Sequence, residues 1–352
     1  MVRVAVVGAS GYGAGEAISW LLGHPQAEIA ALTSRVEAPV PLSALRPQFR
    51  GVELPLVKPL DPDELARVAD VAMLALPHGA SGEWAGKLLD RGLKVIDFSA
   101  DFRIRSAELY EKTYGRKHPA PKLLKEAVYG LPEFHRDEVA GARLVANPGC
   151  YPTGALLGLI PLAKRRLIQP GSVVIDAKSG VSGAGRKPSA PEGYHFCEVA
   201  ESIKAYNVSK HRHMPEIESE LAAAFGGAEG ELSPVSFTPQ LVPVQRGILT
   251  VIYASVADGV KPGQLRDAFV QDYDGEAFAC LLEEGQFPST GEVVGTNRCD
   301  VGLAYDKRVG RVTVITAIDN LAKGMASQAV QNMNLMFGIP ETEGLVSPGR
   351  NP

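Results

Sequence analysis

The first sixteen residues constrain the fold more tightly than any other stretch of the chain. Val2-Arg3-Val4-Ala5-Val6-Val7 is an apolar, β-branched run, Gly8-Ala9-Ser10-Gly11 is a glycine-rich turn, and Ala14, Ala17, Ile18, Leu21 and Leu22 then recur at the spacing of one helix face. Strand, turn and helix in that order form the βα unit that a dinucleotide site needs. Gly8 permits the sharp turn, Gly11 lets backbone approach a pyrophosphate, and the helix N-terminus offers amide donors to its oxygens. The spacing is Gly-x-x-Gly-x-x-Ala rather than Gly-x-Gly-x-x-Gly, and taken alone it also fits a plain structural turn. A second strand, near Glu28 to Leu32, ends in Thr33-Ser34-Arg35. An NAD site would place an acid there for the ribose 2′-hydroxyl, whereas Ser34 and Arg35 suit a 2′-phosphate, so the expected cofactor is NADP(H).

At 352 residues the chain exceeds the size at which single cores stop growing, and two domains are expected. Up to residue 149 apolar runs alternate with helical patterns: Val71 to Leu76, a helix near Ser81 to Asp90, Leu93 to Asp97, and Arg143 to Ala146. This alternation implies an α/β Rossmann domain over 1–149, with a parallel sheet whose ligand crevice lies beyond the carboxyl ends of its strands. Beyond residue 165 the strand runs lengthen, at Gly171 to Ala177, Ser236 to Val244, Ile248 to Ala257 and Arg311 to Ile318. Residues 150–319 therefore read as an α+β domain with a mixed or antiparallel sheet. A helix expected within 320–352, strongest from about Leu321 to Phe337, should pack back on the first domain.

The net charge is −4 with both signs interspersed, which gives no basic stripe for nucleic acid. No segment approaches the twenty or so apolar residues of a membrane span, and the chain opens on a strand rather than a signal peptide, so a cytoplasmic protein is expected. Cys150, Cys197, Cys280 and Cys299 are far apart without a Cys-x-x-Cys pair, which argues for reduced thiols and against a metal or disulfide framework.

Cys150 follows Asn147-Pro148-Gly149, a tight turn before a helical pattern. A thiol at a helix N-terminus lies in the positive end of the backbone dipole, which favours thiolate and makes a nucleophile; the alternative is a buried structural cysteine. Lys210-His211-Arg212-His213-Met214-Pro215-Glu216 brings imidazole and carboxylate, the groups that would serve a thiol as proton partner and tautomer anchor. On a helix His211 and His213 would face different ways, and an exposed basic patch or a metal pair with Glu216 also fits this segment. Ser179-Gly180-Val181-Ser182-Gly183-Ala184-Gly185-Arg186 reads as an amide cradle for an oxyanion or phosphate, with Arg186 adding charge. Arg103 and Arg246 could each hold a carboxylate or phosphate, or pair a protein acid. A nucleophilic cysteine, NADP and several arginines together suggest an acyl phosphate substrate.

The motifs Gly8-Ala9-Ser10-Gly11-Tyr12, Leu76-Pro77-His78-Gly79, Ser99-Ala100-Asp101-Phe102-Arg103, Tyr129-Gly130-Leu131-Pro132-Glu133, Asn147 to Thr153, His211 to Glu216 and Ala317-Ile318-Asp319-Asn320-Leu321 span nearly the whole chain. Together they resemble the N-acetyl-γ-glutamyl-phosphate reductase family, within the wider aspartate-semialdehyde dehydrogenase superfamily. The resemblance implies NADPH-dependent reduction of an acyl phosphate in arginine biosynthesis, by a homodimer or homotetramer whose 150–319 domain is catalytic and dimerising. It implies a catalytic cysteine at Cys150, a histidine base at His211 and Glu216 beside it. On the cofactor side it adds Ser10, Tyr12, Gly13 and Pro77, and then Ser182, Gly183 and Asn320. On the substrate side Asn147, Ser179 and His213 join Arg103, Arg186 and Arg246. One departure is visible: the family commonly has Gly-Tyr-Thr-Gly where this chain has Gly11-Tyr12-Gly13-Ala14. The rivals are a carrier-protein-linked aminoadipyl-phosphate reductase of lysine biosynthesis, aspartate-semialdehyde dehydrogenase proper, and a non-catalytic NADP-binding redox sensor.

Overall fold

A computed structural model describes residues 1–186, 196–228 and 230–349. They fall into two compact units, Met1–Pro148 with Met325–Val346, and Gly149–Gly324 with the residues from Ser347 onward.

The first unit is built on a seven-stranded sheet: β1 (Val2–Val7), β2 (Ala27–Thr33), β3 (Val57–Lys58), β4 (Val71–Leu74), β5 (Lys94–Asp97), β6 (Val128–Tyr129) and β7 (Leu144–Ala146). All pairs are parallel, in the order β3-β2-β1-β4-β5-β7-β6. Parallel strands covered by helices on both faces read as continuous apolar runs, and β4 and β7 are buried at every position. Strand order reverses between β1 and β4, which puts the ligand crevice beyond Val7 and Leu74. Asp61 opens the helix Pro62–Val68 by accepting from the amides of Asp63 and Glu64, a conventional cap; the helix Tyr12–Leu22 behind the glycine turn has no such side-chain cap.

The second unit holds β8 (Val174–Ser179), β9 (Lys204–Ala205), β10 (Ser236–Leu241), β11 (Ile248–Ser255), β12 (Ala279–Leu281), β13 (Cys299–Asp306) and β14 (Arg311–Ile318), in the order β12-β13-β14-β11-β8-β10-β9. The sheet is mixed: β8 and β10 are parallel, as are β12 and β13, and the other pairs are antiparallel. Along β11 buried residues alternate with partly or fully exposed ones, so one face of the sheet is covered and the other open. The cover is the helix Cys150–Ala163, buried at every residue after the cysteine. Gly154 and Gly158 let it lie close to the sheet: a Cβ at Gly158 would stand 2.7 Å from the Ile252 methyl, and one at Gly154 3.1 Å from Thr316 Oγ1. Pro161 interrupts the helix by lacking the amide that would reach Leu157, and the Tyr273 hydroxyl donates to the Leu157 carbonyl instead.

The helix expected within 320–352 is shorter, Ala326–Met336. Asp319 Oδ1 accepts from the amides of Leu321 and Ala322, which folds 319–324 into a turn of the second unit. Gly338 at φ +66 and Pro340 end the helix on the other side. Among the described residues no helix is long and apolar enough to cross a membrane.

Candidate active site

In the first unit the glycine turn is tied down from below. Gly8 has φ +91, and a Cβ there would run into the Ala75 carbonyl oxygen. The amides of Gly8 and Ala9 both donate to Thr33 O, at 2.8 and 2.9 Å, and Ser10 Oγ lies 3.0 Å from Ser34 Oγ. The turn and the end of β2 therefore form one surface, with Arg35 exposed beside it. A Cβ on Gly11 would meet only Gly8 O at 3.5 Å, so the outer side of that residue is open. The following helix has no acidic residue in its first turn. Open glycine, uncapped amides and a Ser34-Arg35 rim fit a dinucleotide carrying a 2′-phosphate. Gly13 faces differently, because a Cβ there would collide with the Met325 thioether.

Pro77 lies in the loop after β4, and that loop is held by Asp101, to which sequence reasoning gave no role. The Asp101 carboxylate accepts from the amides of Gly79 and Gly82 at 2.7 and 2.9 Å and from the Tyr110 hydroxyl at 2.8 Å. Nearby Asp97 is fully buried and accepts from Ser99; burial, with the Asp101 carboxylate adding to it, pushes its carboxyl up to about 6.

Two residues expected to hold substrate are committed to the protein. Arg103 Nε donates to Asn147 O at 2.8 Å and its Nη2 to Phe98 O at 2.7 Å. Asn147 is buried, donates from Nδ2 to Met325 O at 2.9 Å and accepts at Oδ1 from Asn332 Nδ2 at 3.1 Å. The planar guanidinium and the carboxamide fit these protein partners as well as they would a ligand, and here they brace the segment leading into the cysteine turn.

In the second unit Cys150 is half-buried and is the first residue of its helix, with Gly149 as N-cap and no acidic residue in the first turn. The Gly149 amide donates to Glu216 Oε1 at 2.8 Å, so buried Glu216 fixes the cysteine turn rather than standing only as an anchor for histidine. Gly324 flanks the thiol: a Cβ there would stand 2.9 Å from Cys150 Cβ and 2.8 Å from Asn320 backbone.

His211 and His213 are both buried and precede the helix Met214–Ala224 rather than lying on it. Their rings meet edge to face at 4.8 Å, and both pack edgewise on Tyr151, the residue after the cysteine, at 5.5 and 6.0 Å. Tyr206, which no sequence signal marked, closes the cluster: its ring lies 5.6 Å from His211 and its hydroxyl 2.9 Å from the Tyr151 hydroxyl. His211 Nδ1 accepts the His213 amide at 3.1 Å, so the neutral ring carries its proton on Nε2 and offers a donor there. Burial, reinforced by the Arg212 charge, lowers its pKa to about 4, which keeps the ring neutral near pH 7.

The 179–186 segment departs from the expected amide cradle. The amides of Gly180, Val181 and Ser182 donate to the carbonyls of Gly247, Val244 and Gln245, pairing two loops and leaving those donors spent. Asn320 joins the same loops, donating to Ser182 Oγ at 2.9 Å and accepting from Gly247 N at 2.8 Å. Gly183 lies beside it and Ser179 Oγ donates to Gly180 O. Arg246 forks onto buried Asp319, at 3.1 and 2.8 Å, and so takes the protein-acid partner rather than presenting that fork to a ligand. Arg186 is exposed at the segment's end. Among the described residues no cluster of three or more His, Cys, Asp or Glu could hold a metal ion.

Comparison with known proteins matches residues 3–142 to the semialdehyde dehydrogenase NAD binding domain and residues 150–320 to the semialdehyde dehydrogenase dimerisation domain. The chain is 46% identical over 354 residues to an N-acetyl-γ-glutamyl-phosphate reductase of Heliobacterium modesticaldum, covering 100% of both chains. It is 48% identical over 344 residues to that of Geobacillus thermodenitrificans, covering 98% of each. Among solved structures it is similar to aspartate semialdehyde dehydrogenase II of Vibrio cholerae, with a TM-score of 0.70 and 17% identity over 96% of this chain and 98% of that one. The enzyme of Candida albicans crystallised with NADP gives a TM-score of 0.66 at 18% identity, over 96% and 98%.

Proposed function

The chain belongs to the N-acetyl-γ-glutamyl-phosphate reductases of the semialdehyde dehydrogenase family, and from that premise we propose a reaction through Cys150. It reduces N-acetyl-L-glutamyl 5-phosphate to N-acetyl-L-glutamate 5-semialdehyde with release of phosphate, a step of arginine biosynthesis, in the cytoplasm. The observation that carries the reading is a half-buried thiol at the first position of a helix whose preceding amide is held by a buried carboxylate.

The helix N-terminus favours the Cys150 thiolate, which attacks the acyl carbon; the carbon–oxygen bond to phosphate breaks and a thioester forms on sulfur. Glu216 keeps the turn rigid through Gly149 N–H, so the sulfur meets the carbonyl in one orientation. NADPH, when bound, supplies the hydride that reduces the thioester, and Gly8, Ser10, Gly11, Tyr12, Ser34 and Arg35 are the residues that would hold it. A further cofactor contact on the first unit falls to Pro77, in the loop after β4. His211 Nε2–H then stabilises the thiohemiacetal oxyanion as a neutral donor, a role its tautomer supports better than that of a base. Collapse of the oxyanion releases the aldehyde and restores the thiolate. Arg186, exposed at the end of the 179–186 segment, is the cation we assign to the substrate's anionic groups, with His213 beside His211 and Tyr151. The open face of the second sheet, with Leu249, Val251 and Tyr253 of β11 and Val174 of β8, is the surface we assign to self-association.

Incubating the enzyme with N-acetylglutamyl phosphate in the absence of NADPH should add one N-acetylglutamyl group to the peptide containing Cys150, by mass spectrometry. An unmodified Cys150 in an enzyme preparation that turns over once NADPH is added would exclude the thioester route.

A further inference from the structure

Arg46 does not belong to any motif of the sequence, yet it is only 8% exposed and lies against the glycine turn. Its Nη1 donates to Gly11 O at 2.7 Å and reaches Ser10 O at 3.5 Å. Its Cζ sits 5.4 Å from the centre of the Tyr12 ring, and the Gln48 carboxamide oxygen, turned toward it, accepts from Nε at 2.9 Å. The guanidinium occupies the space where a side chain at position 15 would be: a Cβ on Gly15 would stand 2.8 Å from Nη2, 2.9 Å from Cζ and 3.2 Å from Nη1.

The consequence follows from peptide planarity. In a trans peptide the carbonyl and the next N–H point in opposite directions, so a Gly11 carbonyl drawn onto Arg46 turns the Tyr12 N–H away from it. Tyr12 is the first residue of its helix, and its amide is one of the donors available to an anion at that helix start. The amides of Gly8, Ala9 and Gly11 are already donated, to Thr33 O and Gly8 O, and the Gly11 carbonyl takes two donors, Arg46 Nη1 at 2.7 Å and the Gly15 amide at 3.1 Å, so Arg46 adds a second, charged hold to the peptide that orients Tyr12 N–H. We propose that Arg46 is a positioning residue of the dinucleotide site, fixing the 11–12 peptide so that Tyr12 N–H meets the cofactor pyrophosphate, and that position 15 is glycine because any side chain would evict the guanidinium. The inference rests on the reading that the 8–15 turn holds NADPH.

The test is a mutant cycle on the full-length enzyme, with NADPH dissociation constants from nicotinamide fluorescence, steady-state constants and melting temperature. Arg46→Ala should weaken NADPH binding roughly ten- to a hundredfold, the loss expected when one amide hydrogen bond to an anion is no longer aimed. The KM for the semialdehyde in the reverse direction and kcat should stay within about twofold. Arg46→Lys, which keeps charge but not the fork, should recover part of the affinity. Gly15→Ala should reproduce the Arg46→Ala loss, and adding it to Arg46→Ala should cost less than about threefold more. If Arg46→Ala does not fold, Arg46→Lys and Gly15→Ala carry the same comparison. Additive losses, or losses in both KM values that track melting temperature, would overturn the proposal while leaving the NADPH site intact. Failure of the unaltered enzyme to bind NADPH would remove the underlying reading and the proposal with it.

Discussion

The placement of Cys150 at a helix start was legible because its cause is local: Pro148, Gly149 and the helix that follows are contiguous with it. Arg103, Asn147 and Arg246 were legible only as candidates, since a guanidinium or carboxamide serves a protein carbonyl, a protein carboxylate or a substrate equally well. Their partners, Phe98 O, Met325 O and Asp319, are identified only by the folded chain. Two outcomes belong to this scale. His211, held neutral by burial, should show no imidazole titration between pH 5 and 8 by NMR and add no limb near pH 6.5 to the kcat/KM profile. A ring that titrates near 6.5 would return it to the role of general base. Gly324→Ala should cut kcat at least about tenfold, because the new methyl must displace Asn320 backbone or Cys150 itself. Its cause should appear as a changed rate of Cys150 alkylation by iodoacetamide, and an unchanged rate with unchanged kcat would show that the site yields without cost.

Among the elements, the strands were read where β-branched runs are uninterrupted, and β1, β4, β11 and β14 fall where the pattern put them. β13 was missed because Asp300 and Gly302 break its pattern. The structure explains Gly302, where a Cβ would stand 2.6 Å from the Gln286 carbonyl. β3, β6, β9 and β12, two or three residues long, are too short to carry a period, whereas the equally short β7 was read from its wholly apolar run. The loops after β4 and β5 depend on Asp97 and Asp101, and this gives a stability prediction with a definite sign. Asp97 has a folded-state pKa raised to about 6, above its unfolded value, so its contribution is fully present below about pH 4 and is lost as pH rises through 6. Asp97→Asn should escape that loss, gaining up to ~3 kcal/mol on the wild type between pH 4 and 7 in urea titrations, with His211 acting equally in both proteins. Parallel stability curves for the two proteins over that range would mean that Asp97 is not the group responsible.

At the scale of the whole molecule, a chain with a dinucleotide unit, a cysteine unit and an open sheet face is expected to work as an oligomer. Tyr253→Glu, placed on that face opposite Val174, should shift the sedimentation coefficient toward the monomer with little effect on melting of the isolated fold. An unchanged coefficient would move the interface elsewhere. The two-unit organisation was accessible from length and from the change of strand texture after residue 165. The handover between the units at 319–325 was not, because it depends on an Asp319 turn whose partners are spread over three segments. The most direct test of the central claim is the reverse reaction: phosphate-dependent reduction of NADP by the purified enzyme with N-acetylglutamate semialdehyde, beside Cys150→Ala. The account predicts NADPH formation that requires phosphate and is lost in Cys150→Ala, with NADPH affinity retained. Turnover that persists without the thiol, or that ignores phosphate, would contradict it.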